Sequence, residues 1–332
     1  MPARPPRIPN PPWLLGGHSQ TIWPKLFARL HHATPPPLWR ERWDTPDGDF
    51  VDCDWLAAPT AAPLETRPLL VLFHGLEGSS ASHYSQAFAS HAQALGWAFA
   101  LPHFRGCSGE LNRAPRAYHS GDHAEIGWML DQLHARHIGP VLAVGVSLGG
   151  NALLRWAQEA GEQARSRVQA LAAVSAPLDL AAASRAIHQG LNRALYTRYF
   201  LRSMVPKALR KLQQHPDLFD GPRLARARSL IEFDEVFTAP LHGFRDAADY
   251  YARASAGPHL ASLRVPSLVL NARNDPFVPF HSLPHPQPFG GAPVTLWQPR
   301  HGGHVGFPSG RWPASALGLP LSVCAWLEQH LG

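Results

Sequence analysis

The chain has 332 residues, of which 45% are hydrophobic, enough for one large core with an insertion or for two domains, and disorder is not indicated. Its three cysteines, Cys53, Cys107 and Cys324, lack Cys-x-x-Cys spacing, so neither a disulfide framework nor a zinc site is indicated and a reducing cytoplasm fits. The net charge of +6 is uneven: from Arg185 to Arg228 ten Lys or Arg stand against two Asp, but no recognised module accompanies them, which argues against nucleic acid as a partner.

Met1 to Asn10 is rich in Pro and Arg and no signal-type apolar region follows it. No later run approaches the ~20 apolar residues of a membrane span. Residues 1–36 are expected to form an N-terminal arm, with Gly17-His18-Ser19-Gln20-Thr21 packing it against the body. Residues 38–44 and 50–56 flank Thr45-Pro46-Asp47-Gly48 and predict an antiparallel hairpin. Strands and helices then alternate: a strand at 69–73, a helix near 82–95, a strand at 97–101, a helix from about 121 to 134, a strand ending at Val146, and another at 170–174. Such alternation predicts a mostly parallel central sheet with helices on its faces. Asp122 and Glu125 are read as a capping box at the start of the second helix.

The loop after the first parallel strand reads His74-Gly75-Leu76-Glu77-Gly78. A turn of this kind presents a backbone N–H to a developing oxyanion, and the N–H of Leu76 is the candidate donor. His74 is assigned a structural role in the turn. Arg105 and Cys107, at the end of the next strand, could border a pocket, although stabilisation of their turn is the simpler role.

The run Gly145-Val146-Ser147-Leu148-Gly149 follows an apolar strand and leads into the helix-forming residues 151–156. Strand, elbow and helix together expose the serine as a nucleophile, because the flanking glycines let strand and helix pass closely. A bare Gly-x-Ser-x-Gly string arises by chance in many chains. The flanking elements are what give it weight, and the N–H of Leu148 becomes the other oxyanion donor.

From 177 to 263 the alternation stops and helical stretches take over. Ile187, Leu191, Leu195 and Tyr199 recur every four residues as an apolar stripe, with Arg193, Arg198 and Arg202 mostly off it. The segment is expected as a helical cap inserted into the core formed by 37–176 and 264–332. Its basic residues offer a surface for peripheral contact with anionic lipid, although a solvated helical face is the commoner explanation.

A serine hydroxyl needs a base, and the base needs a carboxylate to orient it. The strand at 267–271 leads to Asp275, which could instead simply cap its Asn-Asp-Pro turn. The strand at 294–298 leads to His301-Gly302-Gly303-His304. His304, deeper in the glycine turn, is preferred to His301 as the base. Ser147, Asp275, His304 is the chain order of α/β-hydrolases.

Together with these motifs, Gly17-His18-Ser19-Gln20-Thr21, His103-Phe104-Arg105-Gly106-Cys107-Ser108-Gly109-Glu110, Tyr118-His119-Ser120-Gly121, Thr238-Ala239-Pro240-Leu241-His242-Gly243-Phe244 and Gly303-His304-Val305-Gly306-Phe307 give the chain a marked similarity to one group. It resembles the YheT-like bacterial α/β-hydrolases, AB hydrolase family 4, over nearly its whole length. The resemblance implies an α/β-hydrolase fold and a cytoplasmic carboxylic ester hydrolase related to short-chain esterases and acylglycerol lipases, with nucleophile, acid and base at Ser147, Asp275 and His304. The expected partner is a small acyl ester of short to medium chain length. An acyltransferase or thioesterase using the same triad, or a non-catalytic binding protein on the same scaffold, remain alternatives. No dinucleotide, phosphate-loop or zinc motif is present, so no cofactor or metal is implied. The oligomeric state is open.

Overall fold

The computed structural model describes residues 6–31, 36–56, 66–285 and 289–331. Residues 1–5 and 32–35 of the expected arm, and 57–65, 286–288 and 332 of the expected core, lie outside the described residues.

Eight strands form one sheet in the order β1-β2-β4-β3-β5-β6-β7-β8. They are β1 (Leu38–Asp44), β2 (Phe50–Leu56), β3 (Leu69–Phe73), β4 (Ala98–Pro102), β5 (Val141–Val146), β6 (Ala170–Val174), β7 (Ser267–Leu270) and β8 (Val294–Trp297). The hairpin β1–β2 is antiparallel, β2 joins β4 antiparallel, and every pair from β4 to β8 is parallel. The central strands are near-continuous apolar runs because helices cover both faces. In β3, Leu69, Val71 and Phe73 pack on one face with Ile126, Met129 and Leu153, while Leu70 and Leu72 pack on the other with Phe88, Leu142 and Trp326. That split follows from the two-residue period of a strand.

Four helices bear directly on the site: α1 (Gly17–His31), α2 (His83–Ala94), α3 (His123–His134) and α4 (Leu148–Ala160). The expected capping box at α3 does not form. Asp122 makes no side-chain cap; it pairs with Arg116 at 2.6 Å, and Glu125 pairs with Arg105 at 2.7 Å. A buried carboxylate is better compensated by a guanidinium than by a single backbone N–H. Arg105 also reaches Asp47 and Asp49, both at 2.8 Å, so it ties the β1–β2 turn to α3.

Between β6 and β7 the chain is helical, with Leu180–Ile187, a run from Gly190 through Gln214, and Ala247–Ala254 among its elements. The apolar stripe expected there is not a packing face. Ile187 is buried, but Leu191, Leu195 and Tyr199 are 68%, 44% and 51% exposed. Gly190, at φ +51°, breaks the helix after Ile187, and a π-helical turn at Arg193–Thr197 shifts the register, so that Tyr196 and Thr197 turn inward instead.

Candidate active site

Ser147 sits between the end of β5 and the start of α4 with φ +52° and ψ −117°. A non-glycine residue holds this conformation only under constraint from its surroundings. The constraint is close packing: a Cβ on Gly149 would run into the carbonyl oxygens of Phe73 and His74, and one on Gly145 would lie 2.6 Å from Gly150 Cα. The Ser147 N–H donates to the Val174 carbonyl at 2.8 Å, fixing the elbow to β6.

The His304 ring reaches this serine from the loop after β8. Its Nε2 lies 2.9 Å from Ser147 Oγ and its Nδ1 lies 2.9 Å from Asp275 Oδ2. A carboxylate only accepts, so Nδ1 carries the proton and Nε2 is left to accept from the serine hydroxyl. The other oxygen of Asp275 accepts from the N–H groups of Phe277 and Val278 at 2.7 and 3.1 Å. Asp275 therefore caps its own turn and bonds the imidazole at once, one oxygen for each. His301 is exposed, whereas His304 is buried under Phe277, whose ring lies 4.2 Å from the imidazole.

The opposite side of Ser147 is formed by the loop after β3. A Cβ on Gly75 would lie 3.2 Å from Ser147 Cβ, which is why this loop can approach so closely. His74 is structural: Nε2 accepts from the Phe104 N–H at 3.1 Å and Nδ1 donates to the Gly75 carbonyl at 2.8 Å. Burial, reinforced by neighbouring His103, pushes its pKa down to about 3, so it stays neutral. The Gly75 N–H is taken by Tyr84, and the Glu77 N–H by Tyr118. Among the described residues no hydrogen bond uses the N–H of Leu76 or of Leu148, the latter at the first position of α4 where no intrahelical acceptor exists.

Several residues that build this site were given no site role by sequence reasoning, which read Gln20 and Thr21 only as part of a string packing the arm. Gln20, fully buried on α1, accepts at Oε1 from Asn274 Nδ2 and from the Gly302 N–H, both at 2.9 Å. Thr21 Oγ1 accepts from the His304 N–H at 2.8 Å, and Asn274 Oδ1 accepts from Gly303 at 3.1 Å. The Gly17–Thr21 string thus does more than pack an arm; it holds the loops that carry Asp275 and His304. On the other side, Glu77 accepts from Tyr118 Oη at 2.8 Å and from Lys207 Nζ at 2.6 Å. Burial opposes the charge on Lys207, but Cys107 and Glu77 beside it outweigh this and hold the ammonium above its ordinary range.

A cavity of about 100 Å³ opens beside Leu76 and Leu148, walled by Tyr118, Met204, Phe233 and Phe237. Asp234 also lines it, and burial pushes its carboxyl up to about 6 despite hydrogen bonds from Thr238 and Tyr251. Among the described residues no group of three or more His, Cys, Asp or Glu could hold a metal ion.

Residues 68–310 match the family described as alpha/beta hydrolase fold. The chain belongs to that family. Within it, the chain is 40% identical over 319 residues to an Escherichia coli (strain K12) protein named "Putative esterase YheT", covering 95% of this chain and 91% of that one, so the YheT-like resemblance is borne out. It is 30% identical to human phospholipase ABHD3, covering 91% and 73% of the two chains. It is also 29% identical to a Saccharomyces cerevisiae monoacylglycerol lipase, covering 76% and 58%. Among solved structures, a Pyrococcus furiosus esterase aligns with TM-score 0.52 at 15% identity over 98% of this chain and 99% of that one, a likeness of fold.

Proposed function

We propose that the protein is a carboxylic ester hydrolase that works by acyl transfer through Ser147, with His304 as general base, Asp275 as its orienting carboxylate, and the N–H groups of Leu76 and Leu148 as the oxyanion hole. The observation that carries this reading is the continuous hydrogen-bonded line Asp275–His304–Ser147 at 2.9 Å per step. The names of the relatives, an esterase, a phospholipase and a monoacylglycerol lipase, support an ester as substrate.

Nε2 of His304 takes the serine proton as Oγ bonds to the ester carbonyl carbon, and the negative charge on the carbonyl oxygen is met by the two N–H groups. The same imidazole returns the proton to the departing alcohol, leaving an acyl-serine. Water, deprotonated by His304, attacks the acyl carbon; the carboxylic acid leaves and Ser147 recovers its proton. Asp275 stabilises the imidazolium in each half without itself being protonated.

The cavity next to Leu76 and Leu148 suits the acyl group, with residues 177–263 acting as a cap that closes it. At about 100 Å³ it is smaller than the ~150 Å³ that accommodates a benzene ring, which favours a short acyl chain. Three free thiols, Cys53, Cys107 and Cys324, suit a reducing compartment such as the cytoplasm. The test is a series of p-nitrophenyl esters from acetyl to palmitoyl. The expected result is a maximum of kcat/KM between acetyl and butyryl, falling by about tenfold or more at octanoyl as each extra methylene has nowhere to go. Preference for palmitoyl would contradict the pocket assignment, and absence of hydrolysis with equal turnover of acyl thioesters would contradict the ester reading.

A further inference from the structure

The helical run from Gly190 to Gln214 carries three large apolar side chains that stay largely exposed: Leu191, Leu195 and Tyr199. Apolar side chains scattered singly on a surface are ordinary; a set of three on one turn-repeat is not. The patch extends onto α1, where the Lys25 ammonium lies 3.6 Å over the Tyr199 ring and neighbouring Leu26 is 62% exposed.

The patch is set in uncompensated positive charge. Arg193, Arg198 and Arg202 are all exposed. Among the described residues, the ion pairs made by the insertion are Lys207–Glu77, Arg245–Asp246 and Arg253–Asp249, and none of them involves these three arginines.

Two ring contacts connect the residue beside the patch to the proposed base. Tyr196, next to Leu195 in the chain, packs its ring 4.4 Å from Phe277, and Phe277 packs 4.2 Å from His304. Leu76 and Met204, which line the cavity proposed for the acyl group, pack on the same cluster as Tyr196 and Phe277.

We infer that Leu191, Leu195, Tyr199 and Leu26, ringed by Arg193, Arg198, Arg202 and Lys25, form a docking surface for a lipid layer bearing anionic headgroups. No helix among the described residues is long and apolar enough to cross a membrane, so the contact is peripheral: apolar side chains enter the layer while arginines meet its headgroups. A second copy of this chain is the poorer occupant, because a symmetric contact would set arginines against arginines. Resting on the ester reading above, the surface would hold the site beside acyl esters carried in the layer.

The test is co-sedimentation of the full chain with phosphatidylglycerol vesicles and with phosphatidylcholine vesicles, beside hydrolysis of soluble p-nitrophenyl acetate. The protein is expected to bind the anionic vesicles, and binding should weaken as salt rises. Arg193→Gln/Arg198→Gln/Arg202→Gln should lose on the order of a hundredfold in partitioning, at about fivefold per arginine. Leu191→Ser/Leu195→Ser/Tyr199→Ser should lose about tenfold or more even at low salt. Both variants should hydrolyse p-nitrophenyl acetate at the parent rate. No vesicle binding, binding that neither variant weakens, or a dimer in gel filtration that the Leu191/Leu195/Tyr199 variant disperses would each overturn the inference. Vesicle binding without any p-nitrophenyl acetate hydrolysis would leave the surface standing and overturn the ester reading instead.

Discussion

The carboxamide of Gln20 accepts a hydrogen bond from Asn274 at 2.9 Å, across 254 residues of sequence, and the same oxygen accepts from Gly302. One buried amide on α1 thus joins the loop that carries Asp275 to the loop that carries His304. Misplacement of a general base by even an ångström is costly, because its proton transfer demands a near-attack geometry.

Gln20→Leu removes the shared acceptor and leaves the buried Gly302 N–H and the half-buried Asn274 amide unmet. The expected outcome is a fall in kcat of about tenfold to a hundredfold with KM changed far less, measured on a soluble ester. Thr21 offers a control for mere unfolding: Thr21→Ser keeps the hydroxyl that receives the His304 N–H and should retain activity, whereas Thr21→Val should not. Equal effects of both Thr21 variants would make this region structural only.

Lys207 couples the helices between β6 and β7 to the loop that carries Leu76. Its ammonium is 2.6 Å from Glu77, whose own N–H and carboxylate are both held by Tyr118. Lys207→Met should lower kcat/KM by about threefold to tenfold, and combined with Glu77→Gln it should cost less than the product of the single effects, because both act on one contact. Strict additivity in this double-mutant cycle would show that the contact does not act on the loop.

Asp234 gives stability a pH dependence of predictable sign. Burial raises its folded pKa to about 6, above the ~3.9 of an unfolded chain, so the folded state holds the proton more tightly. Its contribution to stability is fully present below about pH 4 and is lost as pH rises through about 6. The loss amounts to about 2–3 kcal/mol. Denaturant unfolding of Asp234→Asn against the parent should show the variant gaining relative stability from pH 4 to pH 7.5; a difference independent of pH would contradict the assignment.

The sheet was legible because its strands are apolar runs punctuated by turn residues, and the hairpin β1–β2 matches its sequence bounds residue for residue. Ser147, Asp275 and His304 stood out because each follows a strand end in a string with few other uses. The roles of Gln20, read only as part of an arm-packing string, and of Lys207 did not, since their partners lie in distant loops and no local pattern encodes a contact across the fold. Periodicity also misled at Leu191, Leu195 and Tyr199: a repeat of four says that side chains share a face, but not whether that face meets protein or solvent. Asp122 and Glu125 carried the spacing of a capping box, yet Arg105 and Arg116 claimed both carboxylates.

The most direct test of the central claim is labelling with a fluorophosphonate, which bonds only to a serine activated by a neighbouring base, followed by peptide mapping of the adduct. The adduct is expected on Ser147 of the native chain, with labelling and ester hydrolysis lost together in Ser147→Ala by several orders of magnitude while the fold is retained. Labelling at another serine, or hydrolysis that persists at the native rate in Ser147→Ala, would contradict the account.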